Sequence, residues 1–364
     1  MANSTSASTR KLWRGFASDN YAGVHPEVLA KLVQVNEGHE IAYGDDTVTA
    51  QFNDLVKKLF GPKAVGFPVF NGTGANVVAL QAALKRWEAV ICVETAHIHA
   101  DEGGAPEKMG GIKLWTVASP SGKLTPEMID SQVFDMGVVH RAQPGVVSIT
   151  QTTEMGTLYT AKEIKALANC AHKHGLLIHM DGARLSNAAA ALGLTFKQFT
   201  TDLGIDLVSL GGTKIGALAA EAVIVTDSKS AVGKSLANAM PYLRKTSMQL
   251  PSKMRFVSGQ LIALFDDGAK LALANAEHAN AMAAKLYAGV LKISKTNKNV
   301  TLPNPTEANA VFPVLPKAIT AKLQKQYRFY VWNQATGQVR WMCAWDTTES
   351  DVEELLEALK KALK

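Results

Sequence analysis

From residue 64 onward the chain alternates short apolar runs with longer helical patterns, and no other feature constrains the fold as strongly. Several runs are apolar on both faces, which is typical of strands that helices cover on both sides of a mostly parallel sheet. The seven runs lie at residues 64–70, 89–93, 112–117, 146–149, 176–180, 207–210 and 222–225. Between them, residues 75–85 and 161–174 have the length and period of crossover helices. The sequence therefore predicts an α/β fold with a mostly parallel, seven-stranded sheet.

The last third of the chain has a different pattern. A helical pattern at residues 251–293 is rich in alanine, which favours close helix packing, and its position suits a link between two domains. Predicted strands follow at residues 309–314, 327–332 and 339–345, and an amphipathic helix at residues 351–363. We therefore predict a large domain at residues 13–255, and a linking helix with a small α+β domain at residues 256–364.

Composition and charge exclude several classes of protein. The 364 residues are 47% hydrophobic and 19% charged, as in ordinary globular proteins, and the net charge of +6 is spread without a dense Lys/Arg block. We expect no nucleic-acid or membrane partner, since no stretch has the roughly 18 uninterrupted apolar residues of a membrane span. The Ser/Thr-rich residues 1–12 predict a disordered tail rather than a secretory signal. Three widely spaced cysteines predict reduced thiols and a cytoplasmic location.

Polar clusters follow five of the predicted strands, at the sheet edge where ligands bind in open α/β folds. They are Asn71 to Gly74, Glu94 to His97, Gln151 to Glu154, Asp181 to Arg184, and Gly211 to Lys214. The first cluster joins a strand to a helix, and its small residues allow backbone N–H groups to approach a phosphate. It is neither the dinucleotide fingerprint nor a P-loop, which disfavours nicotinamide cofactors and nucleoside triphosphates. An ordinary glycine-rich turn is the alternative interpretation.

Asp181 and Lys214 are the two candidates for cofactor chemistry among these clusters. Asp181 follows an apolar run, where a buried carboxylate needs a partner such as the protonated ring nitrogen of pyridoxal phosphate. Lys214 follows an apolar strand and two glycines, and burial there favours the neutral amine that forms a Schiff base. Alternatively, Asp181 pairs with Arg184 or caps a helix, and Lys214 is a solvated loop residue.

The order of these motifs resembles the fold-type I pyridoxal-phosphate enzymes, and the detailed strings resemble the low-specificity L-threonine aldolases of the β-eliminating lyase superfamily. The resemblance covers nearly the whole chain after the tail. Its carriers are Ser18 to Asn20, Tyr43 to Asp46, Asn71 to Asn76, Ala96 and His97 with Glu102 to Gly104, His179 to Arg184, Gly212 to Lys214, and Val339 with Arg340. It implies pyridoxal 5'-phosphate as cofactor, and cleavage of L-threonine, L-allo-threonine and related L-3-hydroxy-α-amino acids to glycine and an aldehyde.

The resemblance also implies which residues hold the cofactor. Lys214 would bind it covalently, Asp181 would pair with its ring nitrogen, and His97 would stack on its ring face. The other cofactor-binding positions are Gly72, Thr73 and Gly74, which match the family's phosphate binders, and Arg184.

Three further residues, Ser18, Arg184 and Arg340, match the family's substrate-carboxylate binders. A planar arginine fork holds an α-carboxylate bidentately and so fixes which bond at Cα stands perpendicular to the cofactor ring. The structural alternatives are that Arg184 pairs with Asp181 and that Arg340 closes an interdomain ion pair. Tyr43 matches a substrate-site residue that such enzymes contribute across a dimer interface, which implies a homodimer or homotetramer.

The chain departs from the family pattern at Glu154, where many members have a histidine. A carboxylate still accepts a proton if its surroundings raise its pKa, so the catalytic base is either His97 or Glu154. Another reaction on the same cofactor (β-elimination, racemisation or transamination) or a non-catalytic amino-acid sensor is the alternative function. We expect no metal site, because His172 and His174 have no third ligand at a suitable spacing.

Overall fold

The computed structural model describes residues 14–364, so the tail predicted at residues 1–12 lies outside the described residues. Seven strands form the main sheet, in the order β1-β7-β6-β5-β4-β2-β3. They are β1 (Val65–Val69), β2 (Glu88–Val93), β3 (Lys113–Val117), β4 (Gln143–Thr150), β5 (Leu177–Gly182), β6 (Leu207–Gly211) and β7 (Glu221–Val225). Strands β2 to β6 pair in parallel, whereas β7 is antiparallel to both β1 and β6. The predicted mostly parallel, seven-stranded sheet is confirmed.

Helices cover the main sheet and connect it to the rest of the chain. They are α1 (Pro26–Gln34), α2 (Thr47–Phe60), α3 (Gly72–Ala83), α4 (His97–Ala100), α5 (Ala105–Lys108), α6 (Pro126–Asp130), α7 (Ala161–Lys173), α8 (Leu185–Leu192), α9 (Phe196–Phe199), α10 (Ala231–Thr246), α11 (Met254–Thr296), α12 (Lys317–Gln324) and α13 (Glu349–Ala362). The predicted crossover helices are present as α3 and α7. Among the described residues, no helix is long and apolar enough to cross a bilayer.

A break divides the long helix α11. Asp267, Gly268 and Ala269 all have positive φ, so the backbone leaves the right-handed helix there. Side chains before the break, such as Leu261, pack in the core of the main sheet, whereas Val290 belongs to a second core. The helical pattern predicted at residues 251–293 is therefore present, but the sequence pattern did not predict the break.

The second core lies around a three-stranded antiparallel sheet, in the order β8 (Ala310–Val311), β10 (Gln338–Met342), β9 (Tyr330–Asn333). The predicted strand at residues 309–314 is short because Pro313 has no N–H to donate to a ladder. The division into two domains stays a prediction.

The N-terminal segment packs against this second sheet. Phe16 is buried in the second core, and its carbonyl oxygen accepts a hydrogen bond from Met342 N at 2.9 Å. This docking places Ser18 and Asp19 between the C-terminal sheet and the carboxyl edge of the main sheet, where Asp19 meets Arg184.

Trp341 provides a test of the second core. Its side chain is fully buried and meets Phe329 edge to face, with ring centroids 5.8 Å apart. We expect Trp341→Ala to lower the free energy of unfolding by about 3–5 kcal/mol, because truncation loses apolar burial and leaves a cavity. Urea unfolding measures the change. Trp87, which is 62% exposed, is the matched control, and Trp87→Ala should change stability by no more than about 0.5 kcal/mol. Equal effects of the two substitutions would contradict the described packing.

Candidate active site

Hydrogen bonds join the ends of several main-sheet strands into one cluster. Asn76, in α3, donates through Nδ2 to Asp181 Oδ2 at 2.9 Å and to Glu102 Oε1 at 2.8 Å. The ring of His97 contacts Glu102, and its backbone N–H donates to Glu154. The segments that follow β1, β2 and β4 thus converge on the end of β5, as the parallel topology predicts.

Asp181 is a buried carboxylate held in its ionised form. Its Oδ1 accepts a hydrogen bond from Ala183 N at 3.0 Å. Burial opposes ionisation, but the charges of His97 and Lys214 and the two hydrogen bonds together hold the pKa of Asp181 below its ordinary value. The alternative pairing of Asp181 with Arg184 is wrong, because Arg184 forms its ion pair with Asp19.

His179 lies on the same face of β5, two residues before Asp181. Its ring nitrogens are each 3.0 Å from a serine hydroxyl, Ser148 on β4 and Ser209 on β6. Burial lowers the pKa of His179 to about 4, so the imidazole is neutral at physiological pH. His179 therefore adds no positive charge beside Asp181.

Lys214 lies in a short 3-10 turn, Thr213–Ile215, that follows β6. It is partly buried, and desolvation followed by the charge of Arg184 lowers the pKa of its amine, although Asp19 and Asp181 act in the opposite direction. The alternative of a solvated loop lysine is therefore wrong. Gly212 is required before the turn, because a Cβ there would lie 2.5 Å from Ala220 O.

The N-terminus of α3 has the form of an anion site. Asn71 caps the helix, and its Oδ1 accepts the N–H of Gly74 at 2.7 Å. Within the described residues, the N–H groups of Gly72 and Thr73 have no hydrogen-bond acceptor, so both are available to a phosphate. Gly74 has a packing reason as well, because a Cβ there would lie 2.3 Å from the side chain of Gln249.

The two candidate bases come from neighbouring segments: His97 begins α4 after β2, and Glu154 follows β4. Glu154 Oε1 accepts the backbone N–H of His97 at 2.9 Å, while its Oε2 is buried and has no partner among the described residues. Burial, and then the negative charge of Asp181, raise the pKa of Glu154 to about 7. This carboxyl group therefore changes protonation state near neutral pH.

Glu102 orients the His97 ring through a contact of 3.0 Å between Oε1 and Nδ1. Since a carboxylate only accepts hydrogen bonds, Nδ1 carries the proton. Burial opposes protonation of the ring, but Glu102 and the charge of Asp181 raise its pKa overall. Glu102 belongs to one of the motifs that carry the family resemblance, but the resemblance gave it no role. Only the folded structure shows its ion pair with His97.

Of the two arginines predicted to bind substrate, only Arg184 pairs with a carboxylate of the described residues. Arg184 donates to both carboxylate oxygens of Asp19, at 2.7 and 3.0 Å, and Asn309 Nδ2 supports the same carboxylate at 3.1 Å. Arg340 donates to Ala17 O at 3.1 Å and lies over the Trp332 ring, but no carboxylate of the described residues lies within 4 Å of it. The predicted alternative of an interdomain ion pair at Arg340 is therefore wrong.

In the part of the chain that the structure describes, Arg340 is thus a cation without a partner anion. Its Nε is buried and has no hydrogen-bond acceptor among the described residues. Burial, and then the charge of Arg184, lower the pKa of Arg340 to about 10, which still leaves it protonated at neutral pH. Ser18 lies one residue beyond Ala17, and its hydroxyl accepts the N–H of Asn20. These groups form a cationic subsite beside the Asp181 cluster.

Tyr43 lies outside this network in the single chain. It is 50% exposed and has a positive φ of 63°, and Lys245 Nζ lies 4.4 Å from its ring centroid. The hydrogen bonds that join Asp181, Asn76 and Glu102 do not include it, as far as the described residues show.

Comparison with known proteins places these features in a family. A family model described as beta-eliminating lyase matches residues 15–317. The chain belongs to the β-eliminating lyase family. A low specificity L-threonine aldolase from Pseudomonas sp. (strain NCIMB 10558) is 43% identical over 350 residues, which cover 96% of this chain and 97% of that protein. One from Pseudomonas aeruginosa is 40% identical over 347 residues, 95% of this chain and 96% of that protein.

Structural comparison agrees with this membership of the β-eliminating lyase family. A threonine aldolase structure from Leishmania major matches with a TM-score of 0.87 and 30% identity, covering 96% of this chain and 99% of that chain. The resemblance inferred from the motifs and the fold-type I architecture are both confirmed.

A second group of polar residues lies away from the family's site. Asp130 Oδ1 is 2.6 Å from His174 Nε2 and accepts the thiol of Cys170 at 3.5 Å. The sequence contains no signal for this cluster, because Asp130 ends α6, whereas Cys170 lies in α7 and His174 caps the C-terminus of α7. His172 points elsewhere, to Asp206 at 2.9 Å. His174 and Cys170 thus both contact the same oxygen of the Asp130 carboxylate.

The pKa of Glu154 predicts how activity depends on pH in this family member. A carboxyl group with a pKa near 7 is protonated below that value, so a base function should make kcat/KM rise as pH increases through about 7. We expect Glu154→Gln to lose this rise and to lower kcat by about 10²-fold or more, as for other general bases. Steady-state kinetics between pH 5.5 and 9 measure both effects, with His97→Asn assayed in parallel. If Glu154→Gln keeps the rise and His97→Asn loses it, His97 is the base.

Proposed function

We propose that this protein cleaves L-threonine, L-allo-threonine and related L-3-hydroxy-α-amino acids to glycine and an aldehyde, with pyridoxal phosphate as cofactor. The observation that carries the proposal is the convergence of a lysine of lowered pKa, an ionised buried aspartate and an unpaired arginine at one sheet edge. It stands in a chain 40–43% identical to curated low specificity L-threonine aldolases over most of its length.

The donor set fits pyridoxal phosphate. Lys214 has the lowered proton affinity that a Schiff-base lysine needs, and Asp181 keeps a negative charge for the ring nitrogen. The N–H groups of Gly72 and Thr73 at the start of α3 suit its phosphate, and the partly exposed ring of His97 suits its ring face. When bound, the cofactor supplies the electron sink into which the Cα–Cβ bonding electrons flow.

The substrate carboxylate is proposed to bind Arg340 together with Arg184 and Ser18. Arg340 has no counter-anion within residues 14–364, and a bound carboxylate would compensate its charge. The pair with Asp19 holds Arg184 in a fixed orientation, so its remaining N–H groups point in a defined direction. Holding the carboxylate determines which bond at Cα faces the electron sink, and aldol cleavage requires this to be the bond to Cβ.

The β-hydroxyl proton is proposed to go to Glu154 or His97. A hydrogen bond from the His97 backbone N–H to Glu154 joins the segments after β2 and β4, and Glu154 has one oxygen free of partners among the described residues. A group with a pKa near 7 is ionised often enough at neutral pH to accept this proton.

A homodimer or homotetramer is proposed as the active form, with Tyr43 reaching the site of a partner subunit. Support comes from large apolar side chains exposed in the same part of the chain: Val33 is 74% and Ile41 is 69% exposed. A cytoplasmic location is proposed as well, supported by Cys92, Cys170 and Cys343, which are buried free thiols.

A product assay tests the function directly. Protein loaded with pyridoxal phosphate should release equal amounts of glycine and aldehyde from L-threonine, L-allo-threonine and L-phenylserine, and none from the D isomers. Lys214→Ala should abolish release and remove the visible absorbance of the lysine-bound cofactor, because the covalent link is lost. Release of a keto acid with ammonia would identify β-elimination instead, and bound cofactor without any turnover would identify a sensor.

Arg340→Ala tests the carboxylate subsite. We expect KM for L-threonine to rise by about 10- to 100-fold, because a charge-assisted hydrogen bond to the substrate contributes roughly 1.5–3 kcal/mol. Steady-state kinetics with the loaded enzyme measure KM and kcat separately. Arg86→Ala, at an exposed position, is the control and should leave KM unchanged. A fall in kcat at unchanged KM would contradict carboxylate binding by Arg340.

A further inference from the structure

Buried polar side chains hold the turn that carries Lys214 on several sides. Asn275 Nδ2 donates to Ile215 O at 2.8 Å, and Gln260 Oε1 accepts the N–H of Leu218 at 2.8 Å. Both come from α11, one on each side of its break. These two neutral amides hold the turn after the lysine.

The segment before Lys214 is held differently, by the buried carboxyl group of Glu221. Its Oε2 accepts the N–H of Gly212 at 2.9 Å, and its Oε1 accepts the N–H of Thr213 at 3.3 Å. Glu221 begins β7 and pairs with Gly211 on β6 and with Val69 on β1, so a central strand of the sheet fixes its backbone. One side chain thus holds the backbone N–H groups of the two residues that precede the lysine.

An ionised carboxylate is an energetically unfavourable group with which to accept these two backbone hydrogen bonds in a buried position. Burial of a charge is unfavourable, and no cation of the described residues lies within 4 Å of the Glu221 carboxylate. A residue with only a structural role could hold the turn through a neutral amide, as Asn275 and Gln260 hold the segment after the lysine. The negative charge of Glu221 does act on Lys214, where it raises the proton affinity of the amine.

We propose that Glu221 is a positioning residue for Lys214, which holds the Gly212–Thr213 peptide groups and, as an anion, favours the protonated state of the lysine nitrogen when the cofactor is bound to it. The proposal rests on the proposed attachment of pyridoxal phosphate to Lys214.

Several other charged residues act on the Lys214 nitrogen and therefore also affect the pH at which it titrates. Arg184 lowers the proton affinity of the Lys214 amine, whereas Asp19 and Asp181 raise it together with Glu221. Burial raises the pKa of Glu221 itself to about 7, so its contribution should be strongest above neutral pH.

Glu221→Gln tests the proposal, because it keeps the length of the side chain but removes the charge and turns one acceptor into a donor that faces an N–H group. Apoenzyme is titrated with pyridoxal phosphate to obtain the dissociation constant. The visible absorbance of the bound cofactor is then followed between pH 6 and 10 to obtain the midpoint of its titration. Neither readout requires substrate, so both remain interpretable if the aldolase activity itself is not found.

We expect Glu221→Gln to weaken cofactor binding by about tenfold and to move the absorbance midpoint down by about one pH unit, with KM for L-threonine changed less than twofold. Asp206→Asn is the matched control. Asp206 accepts the N–H of Ile178 at 2.9 Å between strands of the same sheet but at the edge opposite Lys214, and its substitution should leave both readouts unchanged.

Glu221→Asp separates the two parts of the proposal, since it keeps the charge and shortens the reach. It should retain the wild-type midpoint while binding the cofactor more weakly, and it provides the same test if the glutamine variant does not fold. A lower melting temperature in both variants with wild-type cofactor affinity and an unchanged midpoint would overturn the proposal and leave Glu221 a structural residue.

Discussion

Burial of the Lys214 amine is the constraint on which the rest of the site depends, because a charged amine removed from water must be compensated or lose its proton. Desolvation and the charge of Arg184 favour the neutral amine, whereas Asp19, Asp181 and Glu221 favour the charged one. The net effect lowers the pKa of the amine, which favours the neutral state that attacks a carbonyl carbon. Every charged group that surrounds the lysine therefore has a second role in setting its reactivity.

Asp19 shows how one residue serves several needs of the site. It lies in the N-terminal segment that docks on the C-terminal sheet, and its carboxylate pairs bidentately with Arg184. This pairing neutralises one of two neighbouring arginines and leaves Arg340 as the cation without a partner among the described residues. A site with two unpaired guanidinium groups would be hard to fold, and a site with none would not attract a carboxylate. The arrangement leaves one net positive charge for a substrate with one carboxylate.

The carboxyl edge of the sheet also brings two acids close enough for one charge to act on the other, and this explains the raised pKa of Glu154. Asp181 is ionised because cations and hydrogen bonds surround it, and its charge then makes ionisation of Glu154 less favourable. Two carboxyl groups in one buried network thus acquire different protonation behaviour. Glu154 reaches a pKa near 7, close to that of an ordinary imidazole, through its environment rather than through its own chemistry.

The sequence by itself determined the strand runs, the crossover helices α3 and α7, and the family, because apolar periodicity and the polar residues after each strand are local signals. It could not determine the partners of those residues. The motif strings contain Asp19, Arg184 and Asp181, and local spacing left a pairing of Arg184 with Asp181 open, yet the fold pairs Arg184 with Asp19, 165 positions away. The roles of Glu102, Asn76 and Glu221 likewise became visible only from tertiary contacts. Charge compensation in a buried site depends on distances between segments remote in the chain, and only packing of the sheet, the N-terminal segment and the C-terminal sheet sets those distances.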